Sequence, residues 1–478
     1  MIERAQALIT DLYELTMAAA YFDSGLHHDR AVFELFVRRL PNHRSYLIAA
    51  GLQQVIDYLS SLRFAPDQID YLREHPVFKN VSGEFFDYLA GFKFTGDVWA
   101  MPEGTVAFGM EPLIRVTAPI IEAQIIETFL LSTINFQTMI ASKAGRVVTA
   151  AEGRGIIEFG TRRAHGTEAG LFAARAAYIG GCIGTSNVEA GHVFGIPTFG
   201  TLAHSFVMSF EDEDEAFRAF LKVFPATATV LVDTYDTIDA VTRLVREFGP
   251  EIPAVRLDSG DLCDLSKRVR LLLDNAGMTQ TKIFASGDLN EYKIAELISG
   301  GAKIDSFGVG TELATSSDAP SLSGVYKLSG LEKNGVLSGR IKLSHDKATY
   351  PGAKQVWRFR DQAGKYARDL IALADEEIPA ANSNDLISPL LTRVMQQGSV
   401  VDADQHSADD GANTPDRHTR DSRLSCLNRA RERAAAELKR LSKTMLAIDS
   451  EDEYPVSFSK RLSSERARLE QKISERRH

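Results

Sequence analysis

Between residues 228 and 315 the chain repeats one pattern: a short apolar run, a cluster of Asp, Ser, Thr or Gly, then a stretch of helical period. ATVLVDTYD leads into DAVTRLVREFG, PAVRLDSGD into LCDLSKRVRLLLDNAG and TKIFASGDL into NEYKIAELISGGA, and IDSFGVGT follows. The run centres, near Val230, Val255, Phe284 and Phe307, lie 25, 29 and 23 residues apart. Short apolar runs alternating with helices are the mark of βα units and a parallel sheet. A (β/α)₈ barrel takes about 250 residues, so roughly 30 per unit. The spacing predicts an α/β fold built on an irregular, TIM-like barrel. A doubly wound open sheet is the alternative, but no GxGxxG follows a first strand to favour it.

The flanking segments read differently. Residues 8–21 carry apolar groups at helical spacing with a cap at Thr10 or Asp11. Residues 31–38 alternate as a strand, 49–61 read as a helix, and 93–117 as strands and hairpins broken by Gly and Pro. A long helix is expected over 119–142, after Pro119. We therefore expect an N-terminal α+β domain over 1–145, the barrel over 146–350, and a C-terminal helical and loop extension over 351–478 that packs on the N-terminal domain. Within that extension, polar residues 398–421 predict a flexible loop. A helix is expected over 422–446, with Leu424, Leu427, Leu438 and Leu441 turned to the core, and a frayed charged helix over 459–478.

Composition excludes several classes. Lys and Arg total 54 against 64 Asp and Glu in 478 residues, a net charge of −10, which argues against a general nucleic-acid binder. The three cysteines, Cys182, Cys263 and Cys426, are far apart and lack CxxC spacing, so neither a disulfide framework nor a zinc site is expected. No apolar run has the length of a signal sequence or a membrane span. A cytoplasmic protein handling an anionic small molecule is the expectation.

The predicted strand ends share one vocabulary: Asp233, Thr234 and Asp236; Arg256, Asp258, Ser259, Gly260 and Asp261; Ser286, Gly287 and Asp288; Gly308, Gly310 and Thr311. Glycines let backbone N–H groups approach an anion, hydroxyls add donors, and carboxylates can hold a divalent cation or a sugar hydroxyl. Each residue alone could equally be a turn or N-cap residue. Repetition at four successive strand ends favours a ligand site. No GxxxxGK[ST] is present for a P-loop.

Two further places stand out. In GTLAHSFVMSF, His204 precedes a helix-like apolar run, where a helix N-terminus could favour a phosphoryl group on the imidazole; a hydrogen-bonded core histidine is the plainer reading. In EFGTRRAHG, Phe159 followed by Arg162 and Arg163 suits a flat anionic ring, against ordinary packing and surface charge.

Taken in order, TDLYELTMAAAY, FELFVRRLP, EFGTRRAHG, GTSNVEAG, GTLAHS, VDTYDT, RLDSGDL, ASGDLNE, FGVGTEL, GVYKLSG and KATYPGAKQVWR resemble the nicotinate phosphoribosyltransferase family over about three quarters of the chain. The resemblance implies joining of nicotinate to 5-phosphoribosyl 1-pyrophosphate, giving nicotinate mononucleotide and pyrophosphate in NAD biosynthesis. ATP is a co-substrate and Mg²⁺ is required. It implies that His204 is phosphorylated, and that Tyr13 and Phe159 stack on the pyridine ring, with Tyr13 supplied by a second subunit of a homodimer. Arg162, Ser186, Thr201 and Arg256 surround the ring and its carboxylate. Ser186 stands where the sister nicotinamide enzyme has an Asp, which would repel nicotinate. Ser286, Gly287, Gly308, Gly310 and Thr311 cradle the phosphoribosyl phosphate, and Asp258 and Asp288 contact ribose or metal. Thr161, His165 and Phe206 depart from the family's more usual Leu, Gln and Trp. The rival readings are a nicotinamide or quinolinate phosphoribosyltransferase and a catalytically silent metabolite-binding relative.

Overall fold

A computed structural model describes residues 6–249, 252–343, 349–378, 386–401, 420–450 and 452–475. The chain forms two compact units. One gathers residues of Met1–Thr138, Ser321–Asn413 and Ala436–His478; the other gathers Met139–Pro320 and Thr414–Ala435.

The second unit carries the repeated pattern. Its six strands are Gly155–Glu158, Gly184–Thr185, Thr229–Leu231, Ala254–Leu257, Lys282–Ala285 and Ser306–Val309. All their pairings are parallel. The four runs centred on Val230, Val255, Phe284 and Phe307 are strands, as their periodicity predicts. Val230, Val255 and Phe307 are fully buried, as strands covered on both faces require. The last strand lies against the first, with Phe307 opposite Ile156. Strands therefore follow chain order around the sheet. The described pairings break once, between a bridge joining Thr185 to Thr198 and the strand Thr229–Leu231.

The first unit holds a seven-stranded antiparallel sheet. The strand Arg30–Val37 lies between Gly324–Lys333 and Pro112–Pro119, and Pro112–Pro119 continues to Asp97–Ala100. The expected hairpin strands of 93–117 are present. The alternation of 31–38 does not mark a solvent-facing side, because Ala31 through Val37 are all buried. Glu34, 1 % exposed, meets Lys354 Nζ at 2.5 Å inside the core.

Three expectations change. The helix after Pro119 is two helices, Ile120–Ile125 and Glu127–Ala150. The second runs beyond the expected end because its first stop is the left-handed pair Glu152 (φ 49°) and Gly153 (φ 88°). The segment after 351 is not only helix and loop: Lys354–Arg360, Tyr366–Leu373, Leu386–Pro389 and Val456–Phe458 form a four-stranded sheet. The helix placed at 422–446 is Arg420–Leu438 and then Lys443–Leu446, because the Ser442 hydroxyl accepts from Met445 N–H at 3.1 Å and caps a new turn. Leu427 and Leu441 are buried as expected, whereas Leu424 and Leu438 are only half-buried. The terminal charged helix runs Lys460–Glu475. Of the loop expected over 398–421, residues 402–419 lie outside the described residues, and Ser399–Val400 forms a short strand.

Candidate active site

The strand ends of the second unit divide into two groups. Asp236 and Asp261 are helix caps: their carboxylates accept from Asp239 N–H at 2.8 Å and Asp264 N–H at 3.0 Å. The plain turn-and-cap reading holds for these two. Asp233, Asp258, Ser259 and Ser286 join one network around Arg256. Its guanidinium donates to Ser286 Oγ at 2.8 Å, Thr201 Oγ1 at 2.7 Å and Asp258 Oδ1 at 2.6 Å. Ser286 also donates to Asp258. Asp233 supports the network, accepting from Asp258 N–H at 2.9 Å and Ser259 Oγ at 2.7 Å.

Burial pushes the Asp258 carboxyl up, but the Ser286 hydroxyl, Arg256 and His204 outweigh it and hold the group below the ordinary carboxylate value. Asp258 therefore stays ionised at neutral pH. His204 faces it with Nε2 3.9 Å from Asp258 Oδ2, while Nδ1 lies 3.4 Å from Thr234 Oγ1. The histidine side chain is 42 % exposed, so it is no sealed core residue. The expected helix after it is one turn, His204–Val207; Asp212 caps a separate helix, Glu213–Val223, through Asp214 N–H.

Beside this network is a cavity of about 350 Å³ whose lining includes Phe159, Arg162, Ser186, Thr201 and Arg256. That size suits a small-molecule ligand. Five of the six residues expected around a pyridine ring are thus brought together. Tyr13 belongs to the first unit, exposed near Ile9 and Leu12.

The glycines have distinct roles. Gly287, at φ +102°, leaves no room for a side chain, since a Cβ would stand 2.3 Å from Asp258 O; it lets two strand ends close together. A Cβ on Gly308 would lie 2.7 Å from the Phe284 ring and 2.9 Å from the Phe159 ring. That space is occupied by aromatic carbon, which seats Phe159. Gly310 precedes the single turn Thr311–Ala314. Asp288 is exposed at φ +41°, and Lys293 Nζ donates to its carbonyl at 2.8 Å.

Sequence patterning missed Glu158 and Thr185. Both are fully buried, and the Thr185 hydroxyl donates to Glu158 Oε2 at 2.6 Å. The available signal was a carboxylate closing the apolar strand GIIE. Among the described residues no three His, Cys, Asp or Glu side chains converge as a metal cage.

The chain is 45 % identical over 469 residues to a nicotinate phosphoribosyltransferase of Mycobacterium tuberculosis, spanning 97 % of this chain and 94 % of that one. The chain belongs to the nicotinate phosphoribosyltransferase family. The Bacillus subtilis nicotinate phosphoribosyltransferase is 42 % identical over 78 % of this chain and 77 % of its own. Family profiles agree: the nicotinate phosphoribosyltransferase N-terminal domain matches residues 8–135 and its C-terminal domain 353–466, while the quinolinate phosphoribosyl transferase C-terminal domain matches 140–320. The human nicotinic acid phosphoribosyltransferase structure superposes with a TM-score of 0.80 at 28 % identity, covering 96 % of this chain and 99 % of that one. A nicotinate-nucleotide pyrophosphorylase from Pyrococcus furiosus shares the fold, with a TM-score of 0.69 at 24 % identity over 91 % and 96 % of the two chains. No helix among the described residues is long and apolar enough to cross a membrane.

Proposed function

We propose that this chain condenses nicotinate with 5-phosphoribosyl 1-pyrophosphate to nicotinate mononucleotide and pyrophosphate, with ATP hydrolysed to ADP and phosphate, as the first step of NAD biosynthesis from nicotinate. The observation that carries this is Arg256: it borders the cavity and binds the Asp258–Ser286 strand ends, so one cation links a ring site to a sugar site. Phe159 offers a ring face, Arg162 and Arg256 attract the nicotinate carboxylate, and Ser186 and Thr201 complete its wall. Tyr13 of a second subunit closes the ring from its other side in a homodimer.

The pyridine nitrogen is the nucleophile, so no protein base is needed to deprotonate it. Positive charge grows on the sugar as pyrophosphate departs, and ionised Asp258 stabilises it. Ser286, Gly287, Gly310 and Thr311 hold the phosphoribosyl phosphate, while Gly308, expected in that cradle, serves the ring side by seating Phe159. The donor set fits Mg²⁺ held by one or two carboxylates and completed by substrate phosphates. Asp258 and Asp288 would hold it, with Asp233 behind them, whose buried Oδ1 has no hydrogen-bond partner. When bound, the ion neutralises charge on the leaving group.

His204 is the acceptor of the ATP phosphoryl group: half-exposed, it can be reached, and Asp258 and Thr234 orient its ring. We propose the second unit as the catalytic domain of a cytoplasmic enzyme, an irregular barrel within Met139–Pro320 rather than over the expected 146–350. Gly324–Lys333 pairs in the sheet of the first unit, which joins the N-terminal residues to most of the C-terminal segment.

The profile match at 140–320 favours quinolinate as the second reading. Incubating the protein with phosphoribosyl pyrophosphate, Mg²⁺ and nicotinate, nicotinamide or quinolinate, with and without ATP, separates them. Nucleotide from nicotinate, stimulated by ATP, is expected, and a His204→Ala variant loses the stimulation. Product from quinolinate alone would replace the proposal, and no product from any of the three would favour a silent relative.

A further inference from the structure

We propose that Glu158 is a positioning residue of the ring cavity, holding its two walls in register from behind. This rests on the nicotinate reading of that cavity. Glu158 ends the strand Gly155–Glu158 and is fully buried. Its two carboxylate oxygens face different chain segments. One accepts from Gly160 N–H, at the start of the turn Thr161–Arg163 that carries Arg162. The other accepts from Thr185 Oγ1 at 2.6 Å.

Thr185 is itself a junction. Its N–H donates to Pro197 O at 3.0 Å and its carbonyl accepts from Phe199 N–H at 2.9 Å. Its hydroxyl oxygen accepts from Asn187 N–H at 3.0 Å. The carboxylate thus ties the segment bearing Phe159 and Arg162 to the segments bearing Ser186 and Phe199, and all four residues line the cavity. Neither tie has slack. A Cβ on Gly160 would stand 2.2 Å from Ala314 Cβ and 2.7 Å from Gly310 O, and one on Gly184 would stand 2.3 Å from Pro197 O. A buried carboxylate costs free energy unless its lone pairs are used. Burial pushes the Glu158 carboxyl up, and the Thr185 and Gly160 donors counter it.

Gln in place of Glu158 keeps the volume but offers one acceptor and one donor to two donors, so one tie must break or invert. Glu158→Gln should raise the KM for nicotinate about tenfold or more while the KM for phosphoribosyl pyrophosphate stays within about twofold. Thr185→Val should reproduce that split and Thr185→Ser should restore the wild-type value. The double variant Glu158→Gln/Thr185→Val should be no worse than the poorer single one, as expected for residues acting as a unit. Both KM values unchanged in Glu158→Gln, or both rising together with a falling melting temperature, would overturn the proposal. Loss of folding in Glu158→Gln, with Thr185→Val active and unsplit, would overturn it as well. A wild type that makes no nucleotide from nicotinate sinks the cavity reading and this proposal with it; an active wild type with an unaffected variant sinks this proposal alone.

Discussion

Two charged clusters, one in each unit, treat buried charge in opposite ways. In the first, Arg358 is 1 % exposed and surrounded: Asp369 at 2.6 Å, Glu437 at 3.4 Å, Glu111 at 3.8 Å and Val106 O at 2.7 Å. Tyr454 Oη adds a bond to Asp369 at 3.0 Å. Burial opposes the guanidinium's charge, but these carboxylates hold it protonated, and the cluster is sealed inside the fold. In the second unit, Arg256 has the same kinds of partner, yet it borders a cavity, and Asp258 and His204 beside it are 29 % and 42 % exposed. A cluster of ions does not mark a site. Open space beside ions held at fixed geometry does.

That contrast can be broken first at its sealed end. Arg358→Ala would leave Asp369 and Glu111 buried without their cation and should lower unfolding stability by about 3–5 kcal/mol. Urea unfolding measures this, and a loss below about 1 kcal/mol would show that the cluster is not sealed. The next test is at the cavity. Gly308→Ala forces a methyl against the Phe159 and Phe284 rings and should cost roughly 1–3 kcal/mol in stability, with the KM for nicotinate rising several-fold. A change in stability alone would detach Phe159 from ring binding.

A third test concerns Glu14, buried in the first unit, where Thr128 Oγ1 at 2.5 Å, Thr128 N–H at 3.1 Å and the Thr10 hydroxyl serve it. Burial, against those hydrogen bonds, pushes its carboxyl from 4.5 up to about 7. The folded state therefore keeps a proton that the unfolded chain loses, and stability should fall as pH rises from about 4.5 to about 7, then level off. Glu14→Gln should flatten that interval in melting scans; an unchanged slope would place the titration elsewhere.

The legible parts of the fold are those whose signal is local. The four runs around Val230, Val255, Phe284 and Phe307 announce themselves by length, spacing and the polar residues that end them. The seven-stranded sheet does not, because Arg30–Val37 pairs with Gly324–Lys333 across almost three hundred residues, and no local period encodes such a partner. Glu34 misled the pattern for the same reason: its Lys354 partner is distant in sequence, so a buried ion pair looks like one polar face. At the site, Arg256, Asp258 and Ser286 were legible as strand-end residues. Asp236 and Asp261 carried the same letters and proved to be caps, since sequence does not show whether a carboxylate turns toward its own helix. Glu158 was hidden because burial of a charge is a tertiary fact.

The most direct measurement compares nicotinate turnover by the wild type and Arg256→Ala, with melting temperatures taken on the same preparations. Removing a charge-assisted donor from the ring site should lower kcat/KM for nicotinate on the order of 100-fold or more, with the melting temperature within a few degrees of wild type. An Arg256→Ala variant that turns over nicotinate within a few-fold of wild type would contradict the assignment of this cavity as the ring site.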